Sequence, residues 1–434
     1  MSHDRELRIG PWWFTPGVNG INLSTMLFAA FGTMMMVSFM NSMQPYVMTE
    51  ILHIPQDEQG SLTGNLQTFQ EIFFIALAGF AGVVSEKIGR PPVYAAGFVV
   101  AAAGYAIYPM ADTVLQLYLI RGFYAVGATG VAIMLSTCIV DYIQERSRGR
   151  WIGVTSLFNG LGILAMSLGL TRLPTLYSDS GLDPVLAGRY AFWTVSAMCL
   201  LIGAILYFGL YRAATRQRKT DSFLHQMSQG VALGIANPRL AIAYCGAFIG
   251  RGDFNVVGTF FWLWLTQEGL DRGMTAGEAL AKAGPLFGLI QFCAMLWAPV
   301  MGFITDRLNR LTATSLGLLI AGAGYIAMSQ VPDPFGPLMF PAAILLGMGE
   351  TSVIVSVGAL LGQEASARYR GSIVGLFGQI GGIGILATAF IGGYLFDGVG
   401  RTAPFLMMGI LNLILMAAAL YVRSTNGEPV PQQV

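Results

Sequence analysis

Charged residues are scarce in this sequence. They make up 11% of its 434 residues, whereas 54% are hydrophobic, and a soluble chain carries about twice that charged fraction. The net charge is only +1, and because the sequence has no strongly basic domain or arm, we expect no nucleic-acid partner. Most of the protein surface is therefore expected to face a solvent other than water.

Residues that build metal sites, disulfides and enzyme centres are also few. The four cysteines lie within apolar runs, without the spacing of a disulfide framework or a CxxC metal site, and the three histidines are scattered over a tail and loops: Cys138, Cys199, Cys245, Cys293, His3, His53 and His225. The ATP-binding Walker A pattern is missing, and so is the basic start of a removable signal peptide. Because cysteine and histidine are few and scattered, we expect no metal site, no cofactor and no enzyme activity. The missing Walker A pattern indicates that ATP is not the energy source within this chain.

Apolar runs of about 20 residues, each long enough to cross a bilayer, dominate the sequence. They do not alternate as barrel strands would, so we predict helices, which satisfy their own backbone groups in lipid. The fold class is predicted as an all-α membrane protein of twelve transmembrane helices. The predicted spans are 23–47, 59–84, 92–110, 114–141, 151–171, 189–211, 239–266, 281–305, 312–330, 336–362, 371–396 and 402–422.

Lysine and arginine are divided unequally between the two sides of the predicted membrane. Of the 24, 17 lie on the side of the N-terminus, five lie on the opposite side and two lie within spans. Loops rich in lysine and arginine stay in the cytoplasm. We therefore predict a multi-pass protein of the cytoplasmic (inner) membrane with both termini in the cytoplasm.

The sequence repeats itself at a shift of 220 to 222 residues. The tetrapeptide Gly-Ile-Leu-Ala at 162–165 returns at 384–387, and Arg148-Gly149 returns as Arg370-Gly371. Matches at one nearly constant offset indicate two parallel six-helix halves. The predicted domains are an N-terminal tail (1–22), a first bundle (23–211), a cytoplasmic linker (212–238), a second bundle (239–422) and a C-terminal tail (423–434).

Two loops at equivalent positions of the halves carry a recognisable pattern. The loop after the second span reads GVVSEKIGRP from Gly82 to Pro91, and the loop after the eighth reads GFITDRLNR from Gly302 to Arg310. They are similar to the G-x-x-x-D-x-x-G-R-[KR] loop of the major facilitator superfamily, which the chain resembles over nearly its whole length. The resemblance implies two pseudo-symmetric bundles and a set of inner-gate residues: Gly82, Glu86, Gly89, Arg90, Gly302, Asp306 and Arg310.

The same resemblance implies a role for the acid of this loop. Together with Arg90, it would form an inner-side contact between the halves, at the N-terminus of the eleventh span, where the helix dipole stabilises a carboxylate. This sequence departs from the family pattern at three places, one of which is Pro91, where the pattern has a second basic residue. Glu86 stands where the family has Asp, and Asn309 replaces the second Gly in the second copy.

Five charged residues fall inside predicted spans, where a charge must face protein or a water-filled cavity: Glu71, Arg121, Arg251, Asp253 and Glu350. Arg251 and Glu350 both lie near the midplane. By resemblance, spans seven and ten line the central cavity, so Glu350 is the expected partner of Arg251, either as a static ion pair or as one that opens during transport. Arg121 begins a segment similar to the family's fourth-span pattern, which is associated with proton coupling, and we expect it to receive a charge from the cavity.

Uncharged groups within the spans complete the predicted site. The polar members of the substrate and coupling site are Asn41, Gln44, Gln67, Gln70, Asn255 and Gln379. The aromatic run at 260–264 is predicted to form an interfacial belt. Met36, Met40 and Met43 share one face of the first span. Their thioethers could bind Cu(I) in a copper carrier, and the alternative interpretation is ordinary core packing.

These observations predict a secondary active transporter. We expect it to move a small organic solute by alternating access, coupled to protons through its buried carboxylates, and to act as a monomer in the lipid bilayer. The alternatives are an uncoupled facilitator or Cu(I) carrier of the same fold, a membrane enzyme acting on lipid-linked substrates, and a receptor that does not transport. The enzyme would need a His/Asp/Glu cluster at the membrane surface, and the receptor would ordinarily need an added soluble domain.

Overall fold

The computed structural model describes residues 8–9, 12–144, 147–212, 223–366 and 368–426. Outside these ranges lie residues 1–7 and 10–11 of the predicted N-terminal tail, 145–146 of the first bundle, 213–222 of the linker, 367 of the second bundle and 427–434 of the C-terminal tail. Nearly all of the remainder is helical. Two short strands, β1 (Arg8–Ile9) and β2 (Trp12–Trp13), pair antiparallel ahead of the first helix.

Fourteen α-helices follow in the described part of the chain. They are α1 (Gly20–Tyr46), α2 (Gln59–Ile88), α3 (Arg90–Ile107), α4 (Val114–Asp141), α5 (Arg148–Leu168), α6 (Leu173–Asp179), α7 (Pro184–Gly209), α8 (Phe223–Ala236), α9 (Pro238–Asp271), α10 (Ala276–Arg307), α11 (Arg310–Ser329), α12 (Met339–Glu364), α13 (Arg370–Gly398) and α14 (Ala403–Thr425). A π-helical turn, Val47–Ile51, extends α1, and 3-10 turns at Gln56–Glu58, Tyr108–Met110 and Leu170–Arg172 precede α2, follow α3 and precede α6.

Eleven helical segments in the described ranges are long and apolar enough to cross a membrane. The number becomes twelve when α9, which meets α8 at a bend of 120°, is counted with them. The helix α6 is only seven residues long and is not a span. The predicted all-α membrane fold is confirmed, and the apolar runs located its spans.

Side-chain caps and prolines explain where several of these helices begin. Asn19 and Asn22 form a capping box at the start of α1, and Thr113 caps α4 by accepting a hydrogen bond from the N–H of Gln116. These side chains satisfy amide groups that the first turn of a helix leaves without a partner. Pro238 opens α9 directly after α8 ends, and proline suits the first position of a helix because its missing N–H is not needed there.

The described residues divide into two compact units. The first contains the described residues of Met1–Gln56, Phe69–Arg218 and Leu265–Gly288, and the second contains those of Asp57–Thr68, Lys219–Trp264 and Leu289–Val434. In the first unit α3 packs against α4 and α7, and α1 packs against α5. In the second unit α11 packs against α12 and α14, and α13 packs against α8 and α14.

A short segment ahead of α1, residues 12–16, ties the first unit together, and we call it the N-terminal strap. The Trp13 N–H donates to Ser147 Oγ at 3.1 Å, and the Thr15 N–H donates to the Tyr142 carbonyl at 3.1 Å. Phe14 is fully buried and its ring meets that of Trp151 edge-on, with centroids 5.4 Å apart. Phe14, only a few residues ahead of the first span, therefore packs inside the protein.

Two further segments differ from the interpretation of the sequence. Within the predicted linker, α8 packs on α13, and Ser372 Oγ donates to Gln229 Oε1 at 3.0 Å. The aromatic run at 260–264 is no interfacial belt, because its members are 0 to 1% exposed. Phe260 stacks on Phe396 and Trp264 packs against Phe405, so this part of α9 belongs to the core of the second unit.

Candidate substrate and coupling site

Arg121 lies in the core of the first unit, where it is 2% exposed. Its Nη2 donates to Asn41 Oδ1 at 2.5 Å, which connects α4 to α1. The guanidinium carbon also lies 6.0 Å from the centre of the Tyr124 ring, a distance at which the electron-rich ring face attracts a cation. Arg121 is thus held inside the bundle by its neighbours on α1 and α4.

Tyrosine hydroxyls extend this polar cluster. Tyr108 donates to Gln44 Oε1, and Tyr105 donates to the carbonyl oxygen of Met36. The hydroxyls of Tyr105 and Tyr124 lie 3.1 Å apart. Since buried phenols usually find hydrogen-bond partners, these tyrosines, together with Asn41, Gln44 and Arg121, form one network inside the first unit.

The second unit holds a contrasting cluster that contains two acids. Asp253 of α9 is fully buried, and the amide of Asn412 on α14 donates to its two carboxylate oxygens at 2.9 and 3.2 Å. Glu350 of α12 is 3% exposed and lies close enough to interact electrostatically with Asp253. The Tyr325 side chain on α11 faces both carboxylates. Among the described residues, no hydrogen-bond partner is found for Glu350 Oε2.

The two clusters share one equivalent position in the repeat. Tyr105 and Tyr325 are 220 residues apart. In the first unit Tyr105 meets the backbone of Met36, and in the second unit Tyr325 meets the side chain of Asp253. The architecture is therefore shared, but its chemistry differs: one core contains a cation among neutral polar groups, and the other contains two carboxylates.

Arg251 is placed differently from the other predicted charges, since its side chain is exposed. The expected ion pair with Glu350 is not formed within the described residues, because Glu350 is buried against α9 and α11 while Arg251 lies on another face of α9. The Arg251 stem instead passes over Gly381 of α13, where an added Cβ would come within 2.8 Å of Arg251 Cγ. A glycine at this position leaves the space that the arginine stem occupies.

The remaining predicted site residues are spread over both units. Glu71 and Gln67 are buried on α2, with 6% and 7% of their surfaces exposed, and Gln70 is partly exposed. Asn255 is buried on α9, where its amide lies 3.4 Å from Thr388 Oγ1. Gln379 on α13 is partly exposed. The structure thus joins Asn41, Gln44 and Arg121 in one network and Asp253 and Glu350 in another.

The three methionines considered for Cu(I) belong to the core of the first unit. Met36, Met40 and Met43 are 2%, 0% and 0% exposed. Their thioethers are therefore surrounded by protein, which agrees with packing as the use of methionine on this face of α1.

The first copy of the inner-gate pattern joins three helices. Gly89 ends the turn between α2 and α3 with a φ of +94°, a left-handed conformation that favours glycine. Arg90 Nε then pairs with Asp141 Oδ2 at the end of α4, at 3.0 Å, and Arg90 Nη1 donates to Ser85 Oγ at 2.5 Å. For Glu86, which is partly exposed, no hydrogen bond or ion pair with a described residue is recorded.

In the second copy of the pattern, the arginine binds residues of its own loop. Arg310 Nη1 lies 3.1 Å from Asp306 Oδ1, four residues earlier, and it also donates to the Thr305 carbonyl. Asn309, which replaces the family glycine, caps α11 by accepting a hydrogen bond from the Leu311 N–H at 2.9 Å. Gly82 and Gly302 have no atoms within 4 Å of where a Cβ would lie. The two copies therefore differ in what their arginines bind.

Several residues of these networks escaped sequence reasoning. Asn412 and Tyr325 lie alone within apolar spans, and only their packing against Asp253 reveals a role. Arg239 was counted as a loop base, yet its Nε pairs with Glu364 Oε1 at 2.6 Å, with both side chains less than a tenth exposed. The recurrence of Tyr105 at Tyr325 was a usable signal, because a polar residue repeated at the internal offset marks an equivalent position.

The comparisons with known proteins agree with this architecture. The model of the Major Facilitator Superfamily matches residues 26–385 and 286–433. The magnetosome protein MamH of Paramagnetospirillum magneticum is 28% identical over 92% of this chain and 93% of its own length. The magnetosome protein MamZ of the same organism is 27% identical over 89% of this chain, which spans 60% of that longer protein.

Solved structures share the fold. The nucleoside transporter NupG superposes with a TM-score of 0.71 at 14% identity, over 93% of this chain and 99% of NupG. The resemblance to this superfamily, first noted in the loops that begin at Gly82 and Gly302, is thereby confirmed for the whole chain. Because the family model covers most of the sequence and the helices have the matching fold, the chain belongs to the Major Facilitator Superfamily and is a multi-pass membrane transporter rather than an enzyme.

Proposed function

We propose that the protein is a secondary active carrier that moves a small organic solute across the cytoplasmic membrane by alternating access, coupled to protons. The excess of lysine and arginine, 17 against five, supports cytoplasmic termini. The carrier works as a monomer in this proposal.

The observation that carries the coupling is the pair of carboxylates in the second unit. Asp253 and Glu350 are 0% and 3% exposed and interact with each other, and no lysine or arginine pairs with either among the described residues. Two ionised carboxylates repel each other in an apolar interior, and uptake of one proton relieves that repulsion. A buried acid pair of this kind is suited to bind a proton in one state and release it in another.

Asn412 distinguishes the two acids, because it stabilises the ionised form of Asp253. Its amide donates to Asp253, and donors to a carboxylate stabilise the ionised form. Glu350, whose Oε2 lacks a described partner, is then the better site for the mobile proton. A movement of α12 relative to α9 during the transport cycle would alter the distance between the two acids and thereby the proton affinity.

Proteoliposomes containing trapped pyranine test this assignment. Uridine, glucose, citrate, glutamate and putrescine serve as probe solutes, and solute-dependent proton movement is followed by fluorescence. We expect at least one solute to move protons with the wild type, and Glu350→Gln to abolish that movement while counterflow exchange of the same solute survives. Glu58→Gln, which changes an exposed acid of the second unit, is the matched control and retains coupling.

Other outcomes separate the alternatives. Proton movement that persists in both Glu350→Gln and Asp253→Asn would remove these acids as the coupling site and direct attention to Glu71. Counterflow without proton movement in the wild type would identify an uncoupled facilitator. Absence of both activities, in protein that elutes as a single folded species, would contradict transport of these solute classes.

A further inference from the structure

Arg251 lies close to the middle of the longest helix in the described chain. The helix α9 has 34 residues, and at 1.5 Å per residue Arg251 is about 20 Å from its first residue and about 30 Å from its last. An arginine side chain cannot reach a lipid headgroup over such a distance by extending towards the membrane surface. Its charge must therefore be satisfied at the depth where it lies.

The face of α9 that carries Arg251 is open. Phe254, one turn further along and about 60° around the helix axis from Arg251, is 39% exposed. A charged side chain on a lipid-facing surface at this depth costs several kcal/mol, so such residues almost always face a bundle interior or a water-filled cavity. The exposed face of Arg251 is therefore on a water-filled path.

The acids of the second unit do not neutralise Arg251. Asp253 is two residues away on the same helix, about 200° around the axis, and its oxygens accept hydrogen bonds from Asn412. For Arg251 itself, no hydrogen bond or ion pair with any described residue is recorded. The five N–H donors of the guanidinium are thus presented to whatever occupies the path, while Gly381 gives room to the stem.

We propose that Arg251 binds an anionic group of the transported solute, so that the substrate class is organic anions carrying a carboxylate or a phosphate. This inference rests on the proposed transport function and narrows its substrate. A guanidinium matches either group with two parallel hydrogen bonds. The solute then supplies the negative charge that the surrounding protein does not, and an empty carrier keeps a positive site open to attract it.

The charge of the path can be measured without knowing the solute. Phe254→Cys is placed in a background of Cys245→Ser and Cys293→Ser, and its reaction rates with negatively charged sulfonatoethyl and positively charged trimethylammonioethyl methanethiosulfonate are compared. At i, i+3 the two side chains are about 6 Å apart, and one unit charge at that distance in water changes the ratio of the two rates about tenfold. We expect Arg251→Gln to lower the anion-to-cation ratio by that factor and Arg251→Lys to preserve it.

Two results of this experiment overturn the proposal. If neither reagent modifies Phe254→Cys, the face is not water-filled. If both react and Arg251→Gln leaves their ratio unchanged, the arginine does not set the charge of the path. In the second case solute transport and proton coupling can still be present in the proteoliposome assay, so failure of the substrate class is distinguishable from failure of the proposed function.

A thermal-shift series then identifies the anionic group. Citrate and succinate represent carboxylates, glycerol 3-phosphate and inorganic phosphate represent phosphates, and glucose and putrescine are the neutral and cationic controls. A bound solute stabilises the folded carrier, so we expect at least one anion to raise the Tm of the wild type and of Arg272→Gln, a matched change beyond the end of α9. Arg251→Gln should lose this shift and Arg251→Lys should retain part of it. Stabilisation by the controls alone, an anion effect that survives in Arg251→Gln, or no shift with any of the four anions would each refute the proposal.

Discussion

Arg90 at the start of α3 forms an ion pair with Asp141 at the end of α4, with 3.0 Å between Nε and Oδ2. The equivalent arginine of the second repeat, Arg310, binds within its own loop. The inner-gate pattern therefore appears twice in the sequence but crosses between helices only in its first copy. This asymmetry makes the energetic contribution of the two copies directly comparable.

A double-mutant cycle should detect the difference. We expect Arg90→Gln and Asp141→Asn to show a coupling energy of up to about 1 kcal/mol, since the two side chains are partly exposed at 21% and 31% and exposed pairs contribute little. The Arg310→Gln and Asp306→Asn cycle is the control, and its coupling should be close to zero because Asp306 is 77% exposed. Equal couplings in the two cycles, measured by thermal unfolding in detergent, would contradict the structural asymmetry.

The buried pair of Arg239 and Glu364 should behave differently. With side-chain exposures of 6% and 9%, removal of one charge leaves the other buried without compensation, which costs about 3 to 5 kcal/mol. We therefore expect Glu364→Gln to lower the Tm more than the double variant Arg239→Gln/Glu364→Gln. A double variant that is less stable than the single variant would show that the pair itself contributes the stability.

Close packing between α2 and α13 makes a separate prediction. A Cβ on Gly64 would come within 3.0 Å of Gly393 Cα and overlap the Ala389 carbonyl oxygen, so Gly64→Ala should cost about 1 to 3 kcal/mol by forcing these helices apart. Gly79, on the same helix, has no atom within 4 Å of its Cβ position. Gly79→Ala should leave stability unchanged or raise it by up to about 1 kcal/mol, and comparable losses for the two variants would argue against the close approach.

Membrane orientation can be checked by labelling in intact cells. In a background of Cys245→Ser and Cys293→Ser, Ser222→Cys should resist an impermeant maleimide, because the charge distribution places the linker in the cytoplasm. Thr275→Cys, next to the start of α10, should react. The opposite pattern would reverse the proposed topology, and detergent-solubilised protein provides the labelling control for both variants.

The spans were predictable because a bilayer imposes one simple demand, about 20 consecutive apolar residues. The relative rotation of the helices was not. Arg251 and Glu350 were assigned to one pair from their depth and from the resemblance, which implies that their spans line one cavity, but Glu350 is buried beside Asp253 while Arg251 lies on an exposed face. Depth follows from position along a helix, whereas side-chain contact also depends on which face meets which neighbour.

Long-range packing also explains the other differences. The run at 260–264 has the composition of an interfacial belt, yet residues of α13 and α14, well over a hundred positions later, enclose it. Asn412 is unremarkable in its apolar span until it meets Asp253. By contrast, Asn41, Gln44 and Arg121 were identified as site candidates because polar side chains inside spans are costly enough to be noticed individually.

The N-terminal strap has a consequence for biosynthesis. The partners of residues 12–16 include Tyr142, Ser147 and Trp151, so Phe14 leaves the ribosome well before its binding site has been made. At about 5 to 20 residues per second, the intervening chain takes roughly 7 to 30 s to synthesise, and four spans must enter the membrane in that interval. The N-terminal strap can therefore dock only after the fifth span has been synthesised, although it is made before the first. A bulky fusion placed ahead of Trp12 would interfere with this late docking step rather than with membrane insertion.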